Sequence, residues 1–182
     1  SILRDHKGLQ NTDLGLANEM AVNQFIAHHS VIFQPEKRLR WVSTSPWQCG
    51  KYVAYDLNKI FKDTIDWQHE IYSSDLTIPE DKFIDTPEFQ HLLTYKKLTP
   101  LLLKKIRKKE QIEESVLKTY QASNPSLYYV YEVIGDYYEA MQQSKQAIAY
   151  WQQALKKSIP KLQEKERIQQ KIQKQSKDGK ES

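Results

Sequence analysis

The chain has 182 residues, with 27 Lys and Arg against 23 Asp and Glu for a formal charge of +4. Hydrophobic residues are 39% of it and aromatic ones 11%, at a mean hydropathy of −0.74, which fits one average domain or two small ones and excludes a disordered chain. No apolar run approaches the roughly 18 residues that cross a bilayer, the start Ser1–Lys7 lacks the apolar core of a secretion signal, and a lone Cys49 excludes a disulfide framework or a zinc site of several thiolates.

The first predicted element is a helix. Asn11, Thr12 and Asp13 are possible N-caps, and Leu14, Ala17, Ala21, Phe25 and His28 recur at spacings that share one helical face. Three strands follow. Ser30 to Gln34 carries Val31 and Phe33 on one side, and Pro35 to Arg38 reads as a hairpin turn. Leu39 to Thr44 alternates, with Leu39 and Trp41 on one face and Arg40 and Val42 on the other; Lys51 to Asp56 is the third strand. Leu57 to Lys62 begins a short helix. Ser73 to Asp81, with Pro79 and polar turn formers, is expected to be part of a connector.

From residue 87 onward the chain reads as helix, rich in Lys, Gln and Glu. Thr86-Pro87, Thr99-Pro100 and Asn124-Pro125 are three start signals. They predict helices over 87–98, 100–120 and from about 126 to 142. Ser144 to Ser158 and Pro160 to Ser176 complete the set, with the residues from Gln173 expected to fray. The expected organisation is a sheet segment over 1–75, a connector over 76–86 and a helical tail over 87–182.

One unit of the tail, residues 128–161, resembles a tetratricopeptide repeat. With Tyr128 as its first position, Tyr131, Ile134, Gly135, Tyr138, Ala147, Trp151 and Ala154 fall on the positions of that pattern. Gly135 and Ala147 would let two antiparallel helices approach, with the aromatic rings beside them. A single unit cannot bury both of its faces, so packing onto neighbouring helices competes with a groove lined by Tyr128, Tyr131 and Trp151 for a protein partner. Leu162, Ile168 and Ile172 give the last helix a thin apolar stripe suited to a cap.

Residues 18–61 carry a further string: Asn18 to Pro35, then Leu39-Arg40-Trp41-Val42-Ser43-Thr44-Ser45-Pro46-Trp47-Gln48, then Gly50 to Leu57. It resembles the C-terminal end of bacterial proteins related to acyl-CoA:6-aminopenicillanic acid acyltransferase, which are N-terminal-nucleophile amide hydrolases akin to choloylglycine hydrolases. The resemblance implies an αββα sandwich and a cysteine nucleophile freed by self-cleavage, whose own α-amino group is the base. In that family the His-His string recurs at the helix-to-strand junction, so His28 and His29 are candidates for shaping the site of the parent enzyme, beside a structural role in which one faces the core and bonds a backbone group.

The chain departs from that family where the chemistry lies. It begins with Ser1, which no strand-turn-strand hairpin follows, so Ser1 is expected to be a trimming boundary. Cys49 is internal and has no adjacent amine, so it is not the family's nucleophile. Adjacent histidines point in different directions and make a poor metal pair; His6, His69 and His91 have no partner at ligand spacing. The basic run Lys104 to Lys109 is followed by Glu110, Glu113 and Glu114, which suits a solvated helix face better than a nucleic-acid patch.

The expectation is therefore an α+β chain. A small antiparallel sheet precedes a tetratricopeptide-like helical tail, with no cofactor, no metal, no nucleic acid and no membrane span. It is expected to be the C-terminal part of an amide hydrolase or acyltransferase, inactive without the missing N-terminal catalytic part or a second chain. A non-enzymatic interaction module is the second reading, and completion of a partner's sheet by strand addition the third. Cytoplasmic and exported locations both remain open.

Overall fold

The computed structural model describes residues 2–62 and 71–178. It is an α+β protein that divides into two compact units. The sheet unit comprises residues 1–5 and 22–86, and the helical unit residues 6–21 and 87–182.

The sheet unit holds four antiparallel strands in the order β1 (Val31–Gln34), β2 (Leu39–Ser43), β3 (Tyr52–Asp56) and β4 (Ser73–Ile78). Arg38 closes the first hairpin in the left-handed conformation (φ 53°). The register aligns Val31, Val42 and Val53 in one row and Phe33, Arg40 and Tyr55 in another. These rows form one face of the sheet. Its two side chains on β1 remain open to solvent, Val31 at 42% and Phe33 at 63% exposure. The opposite face buries Tyr52 and Ala54. Asp56 caps α1 (Leu57–Ile60) by accepting the Asn58 N–H at 2.9 Å.

Strand β4 replaces part of the expected connector. Its sequence begins Ser-Ser-Asp, and the pairing with β3 shifts register between Tyr52 and Ala54. The Thr77 hydroxyl occupies the irregularity, accepting the Ala54 N–H at 3.4 Å and donating to the Ser73 carbonyl at 3.0 Å. An edge strand with a bulge needs little of the alternation that marks a central strand.

The helix expected over residues 14–28 is absent. Three short side chains take the backbone donors that a helix would use. Asp13 accepts from the Gly15 N–H, Asn18 from Met20 and Asn23 from Phe25, at 3.2, 3.0 and 3.1 Å. Such two-residue turns compete directly with the helical ladder. Gly15 and Phe25, the donors of the first and last of these turns, have left-handed backbone (φ 79° and 51°), as does Ala17 between them (φ 66°). The apolar spacing is real but serves separate purposes. In the sheet unit Phe25 is fully buried and stacks on Phe83 at 5.5 Å. In the helical unit Leu14 and Ala21 are buried.

The helical unit contains α2 (Pro87–Arg107), α3 (Glu114–Ser123), α4 (Tyr128–Ala140), α5 (Ser144–Leu155) and α6 (Leu162–Asp178). Two boundaries differ from expectation. Helix α2 runs through Pro100, so Thr99-Pro100 does not start a helix. Pro100 has no N–H for the Lys96 carbonyl, and the preceding Thr99 hydroxyl donates to the Tyr95 carbonyl at 2.7 Å. Helix α2 stops instead at the basic run. Lys109 is left-handed (φ 55°), Glu110 N–H reaches back to the Lys105 carbonyl, and Lys109 N–H reaches Ile106. That double bond is a Schellman cap, and cations there suit the negative end of the helix dipole. Helix α6 continues past Gln173 to Asp178.

Helices α4 and α5 form the tightest pair. Gly135 lies under the Trp151 ring, and Ile134, Ala147, Trp151 and Ala154 are wholly buried. The turn between them repeats the Schellman cap, with Gln142 at φ 60°. Tyr137 pins the α2–α3 loop by exchanging hydrogen bonds with the Ile112 backbone, both at 3.3 Å. Tyr95 stacks on Tyr120 at 5.7 Å. Residues 6–21 are clamped to the start of α4: the Asn124 amide accepts the Leu16 N–H at 3.0 Å and donates to the Leu16 carbonyl at 2.7 Å. Gly15 is required there, because a Cβ would lie 2.4 Å from the Leu127 nitrogen and its φ is positive.

Candidate functional site

In the sheet unit, His28 and His29 are both exposed and border an open depression with Ser43 to Trp47. The depression is shaped by local backbone. The Ser45–Pro46 peptide is cis, Trp47 is left-handed, and Ser43 accepts the Ser30 N–H at 2.8 Å through its hydroxyl. Among the described residues no carboxylate or thiol lines it. Among the described residues no group of His, Cys, Asp and Glu has the arrangement of a metal site. Ser1 and His69 lie outside the described residues.

Cys49 is buried, and burial pushes its thiol above the ordinary range, with Asp81 adding to the effect against the Asn23 amide and Arg4. The thiolate needed for nucleophilic attack is thus disfavoured. Asn23 donates to Cys49 Sγ at 3.7 Å.

The residue that organises this region is Arg4, which no motif of the sequence marks. Its guanidinium donates to the carbonyls of Gln48, Gly50 and Pro79 at 3.2, 2.9 and 2.8 Å and stands 3.8 Å from Asp81. It also lies 5.4 Å from the centre of the Tyr52 ring. Five attachments on one side chain tie together the loop before β3, the start of β3 and the segment after β4. Beside it, Gln48 Oε1 and Tyr52 Oη are buried without a protein partner among the described residues. No spacing rule marks an arginine whose partners are backbone carbonyls more than 40 residues away.

In the helical unit the expected ring surface is mostly interior. Trp151 is fully buried, and Tyr131 is buried with its hydroxyl donating to the Pro125 carbonyl at 2.8 Å. These two rings fill the space between helices, so neither lines an open groove. Tyr128 is buried as well, but its edge borders a small cleft with Tyr95, Tyr129 and Glu164.

The polar feature of this unit is a row of contacts between α4 and α6. Tyr128 donates to Glu164 at 2.7 Å; Glu132 takes two bonds from Arg167, both 3.0 Å, and one from Lys171 at 2.9 Å. Lys171 also reaches Asp136 at 2.7 Å, and Gln175 donates to Glu139 at 3.1 Å. Four of these five pairs are separated by 35 or 36 residues, and the fifth, Lys171 with Glu132, by 39, one helical turn more. A constant offset means that the two helices run parallel, in register.

Glu132 is only 2% exposed, and its two cations satisfy both of its oxygens. Burial raises the Asp136 carboxyl above its ordinary value against the pull of Lys171, with Glu132 adding to the rise. Burial opposes the charge on Lys171, but Asp136 and Glu132 outweigh it and hold the ammonium above the ordinary lysine range. The Trp151 indole completes the row, donating to Asp136 at 2.9 Å while Lys171 stands 5.7 Å from its ring centre. The sequence hides this network, because its members are ordinary charges spread over 40 positions.

No helix among the described residues is long and apolar enough to cross a membrane. Comparison of the chain with protein-family models, with curated proteins and with solved structures finds no match in any of the three.

Proposed function

We propose that this chain forms the C-terminal part of an amide hydrolase or acyltransferase of the N-terminal-nucleophile class, and that the nucleophile is supplied from outside these residues. The string over 18–61 supports this reading, and one observation carries it further. The sheet presents a face of Val31, Phe33, Val42, Val53 and Tyr55, with Arg40 among them lying over the Tyr55 ring, in which the β1 side chains are open to solvent. In a two-sheet sandwich such a face is the inner one, covered by the second sheet. The buried, proton-retaining Cys49 agrees with a nucleophile located elsewhere.

The test is to read the frame upstream of Ser1 and express the whole protein. A preceding domain with a processed cysteine, and amide hydrolysis lost on its change to alanine, would support the reading. An initiating Met directly before Ser1 would overturn it.

The register of α4 and α6 favours a second reading for the helical unit, as a tetratricopeptide-like interaction module. A parallel pair about 35 residues apart is the spacing of successive repeats in such arrays. Gly135→Leu, which drives a side chain into Trp151, should remove association with any protein that co-purifies from the source cells while leaving amide hydrolysis by the whole protein intact. Unchanged co-purification would count against the module.

A further inference from the structure

We propose that the open cleft between the end of α2 and the start of α3 binds a medium-chain amphipathic monoanion, a fatty carboxylate, with its chain among leucines and its head on Lys105. The inference is independent of both readings above. The cleft has a volume of about 260 Å³, room for roughly nine water-sized groups at about 30 Å³ each. Leu102 and Ile112 line it as buried side chains and Leu98 and Val116 as partly buried ones, while Leu101 stays 51% exposed. Two charged side chains also line it, Lys105 and Glu113.

The order of these residues suits an amphiphile. Leu98, Leu101, Leu102 and Lys105 share one face of α2, at helical spacing. That stripe is apolar until Lys105 and cationic there. The cleft is also preformed. Its loop is held by the Schellman cap, through the bond from Glu110 N–H to the Lys105 carbonyl, and by Tyr137, which grips the Ile112 backbone. Small-molecule sites have this character, an apolar concavity with few polar groups that set orientation.

Charge decides the sign of the head group. The basic run Lys104 to Lys109 faces three nearby carboxylates, Glu110, Glu113 and Glu114. Lys108 pairs with Glu110 at 3.6 Å and Lys118 with Glu114 at 2.8 Å. Lys104, Lys105, Arg107 and Lys109, with no acidic partner among the described residues, then stand against Glu113 alone. This excess outweighs the partial charge of about −0.5 at the end of a helix. The Lys105 ammonium makes one long bond, to the Gln111 carbonyl at 3.4 Å, and has further N–H groups to give a carboxylate.

The test is calorimetric titration of the full chain with butyrate, octanoate and dodecanoate below their micelle concentrations. Each should bind at one site, and affinity should rise at least about tenfold from butyrate to octanoate. Octyltrimethylammonium, equal in chain and opposite in charge, should bind at least about tenfold more weakly than octanoate; this comparison needs no variant. Lys105→Glu and Leu101→Gln, both at exposed positions, should each weaken octanoate about fivefold or more with the near-ultraviolet dichroism unchanged. Lys174→Glu, an exposed charge on α6, should leave binding as it is. Equal binding of the two head groups, indifference to chain length, or equal losses in Lys105→Glu and Lys174→Glu would overturn the proposal. So would two other occupants: capture of the chain by phosphatidylglycerol vesicles without saturable octanoate binding, or a dimer that Leu101→Gln dissociates.

Discussion

Gly135 and Trp151 are in direct contact across the α4–α5 pair: a Cβ on residue 135 would lie 2.4 Å from the indole Cδ1. Trp151 is fully buried and anchored by its bond to Asp136, so the ring has nowhere to retreat. Alanine at 135 would gain about 1 kcal/mol of helix propensity. Overpacking a filled core costs about 1–3 kcal/mol, and a contact this short against a fixed ring lies at the upper end. Gly135→Ala should therefore lower stability by about 1–2 kcal/mol, read as a fall in the urea midpoint without change in slope.

Acid should loosen the N-terminal clamp of the helical unit. The Ser126 hydroxyl, donating at 2.6 Å, lowers the Asp13 carboxyl below its ordinary value of 3.8; burial opposes this, while Gly15 and Lys7 reinforce it. A depressed folded-state pKa means that the stabilisation is present above the unfolded value and is lost as the pH falls through the folded one. Amide exchange over residues 6–21 should speed up below about pH 4, and Asp13→Asn should show the faster exchange already at neutral pH. Unaltered protection in Asp13→Asn at neutral pH, or an acid step that persists in that variant, would refute the assignment.

Alkali should act at the other end of the same unit. The Lys171 ammonium is held above the ordinary value of 10.5 by Asp136 and Glu132, against the cost of its burial. Its contribution is complete below that value and disappears as the pH rises through the folded-state pKa. Protection of the α6 amides should thus decline above about pH 10.5, before that of α4 and α5. In Lys171→Met the alkaline step should vanish.

Cys49 should be silent toward thiol reagents. Its side chain is buried and its pKa raised by that burial. At pH 8 a disulfide-exchange dye should react with the native chain far more slowly than with the same chain in denaturant. Rapid native reaction would reopen Cys49 as a functional thiol.

The sheet was legible where side chains alternate and turn formers stand between: Val31 to Ser43 and Tyr52 to Asp56 pair as their pattern predicts. The helical hairpin was legible because Gly135 and Trp151 meet across it and Ala147 is buried with them. The segment 14–28 has the apolar spacing of a helix, but Asp13, Asn18 and Asn23 each bind a backbone donor in a local turn and prevent one. Thr99-Pro100 has the form of a start signal, but the apolar stripe of α2 continues through it to the buried Leu102. The α4–α6 row and the Arg4 hub were invisible for a shared reason. Each depends on partners brought together by the fold, and neither leaves a short motif behind.

The alternation of the chain between units carries a consequence for genetics. Residues 1–5 and 22–86 belong to one unit, 6–21 and 87–182 to the other. A gene segment starting at Pro87 would not carry the helical unit as a cassette, since Asn124 and Ser126 would lose Leu16 and Asp13. Recombination at that seam would strand sixteen residues on the wrong side. Inheritance should therefore favour the two units moving as a single block, diverging together rather than being traded one at a time.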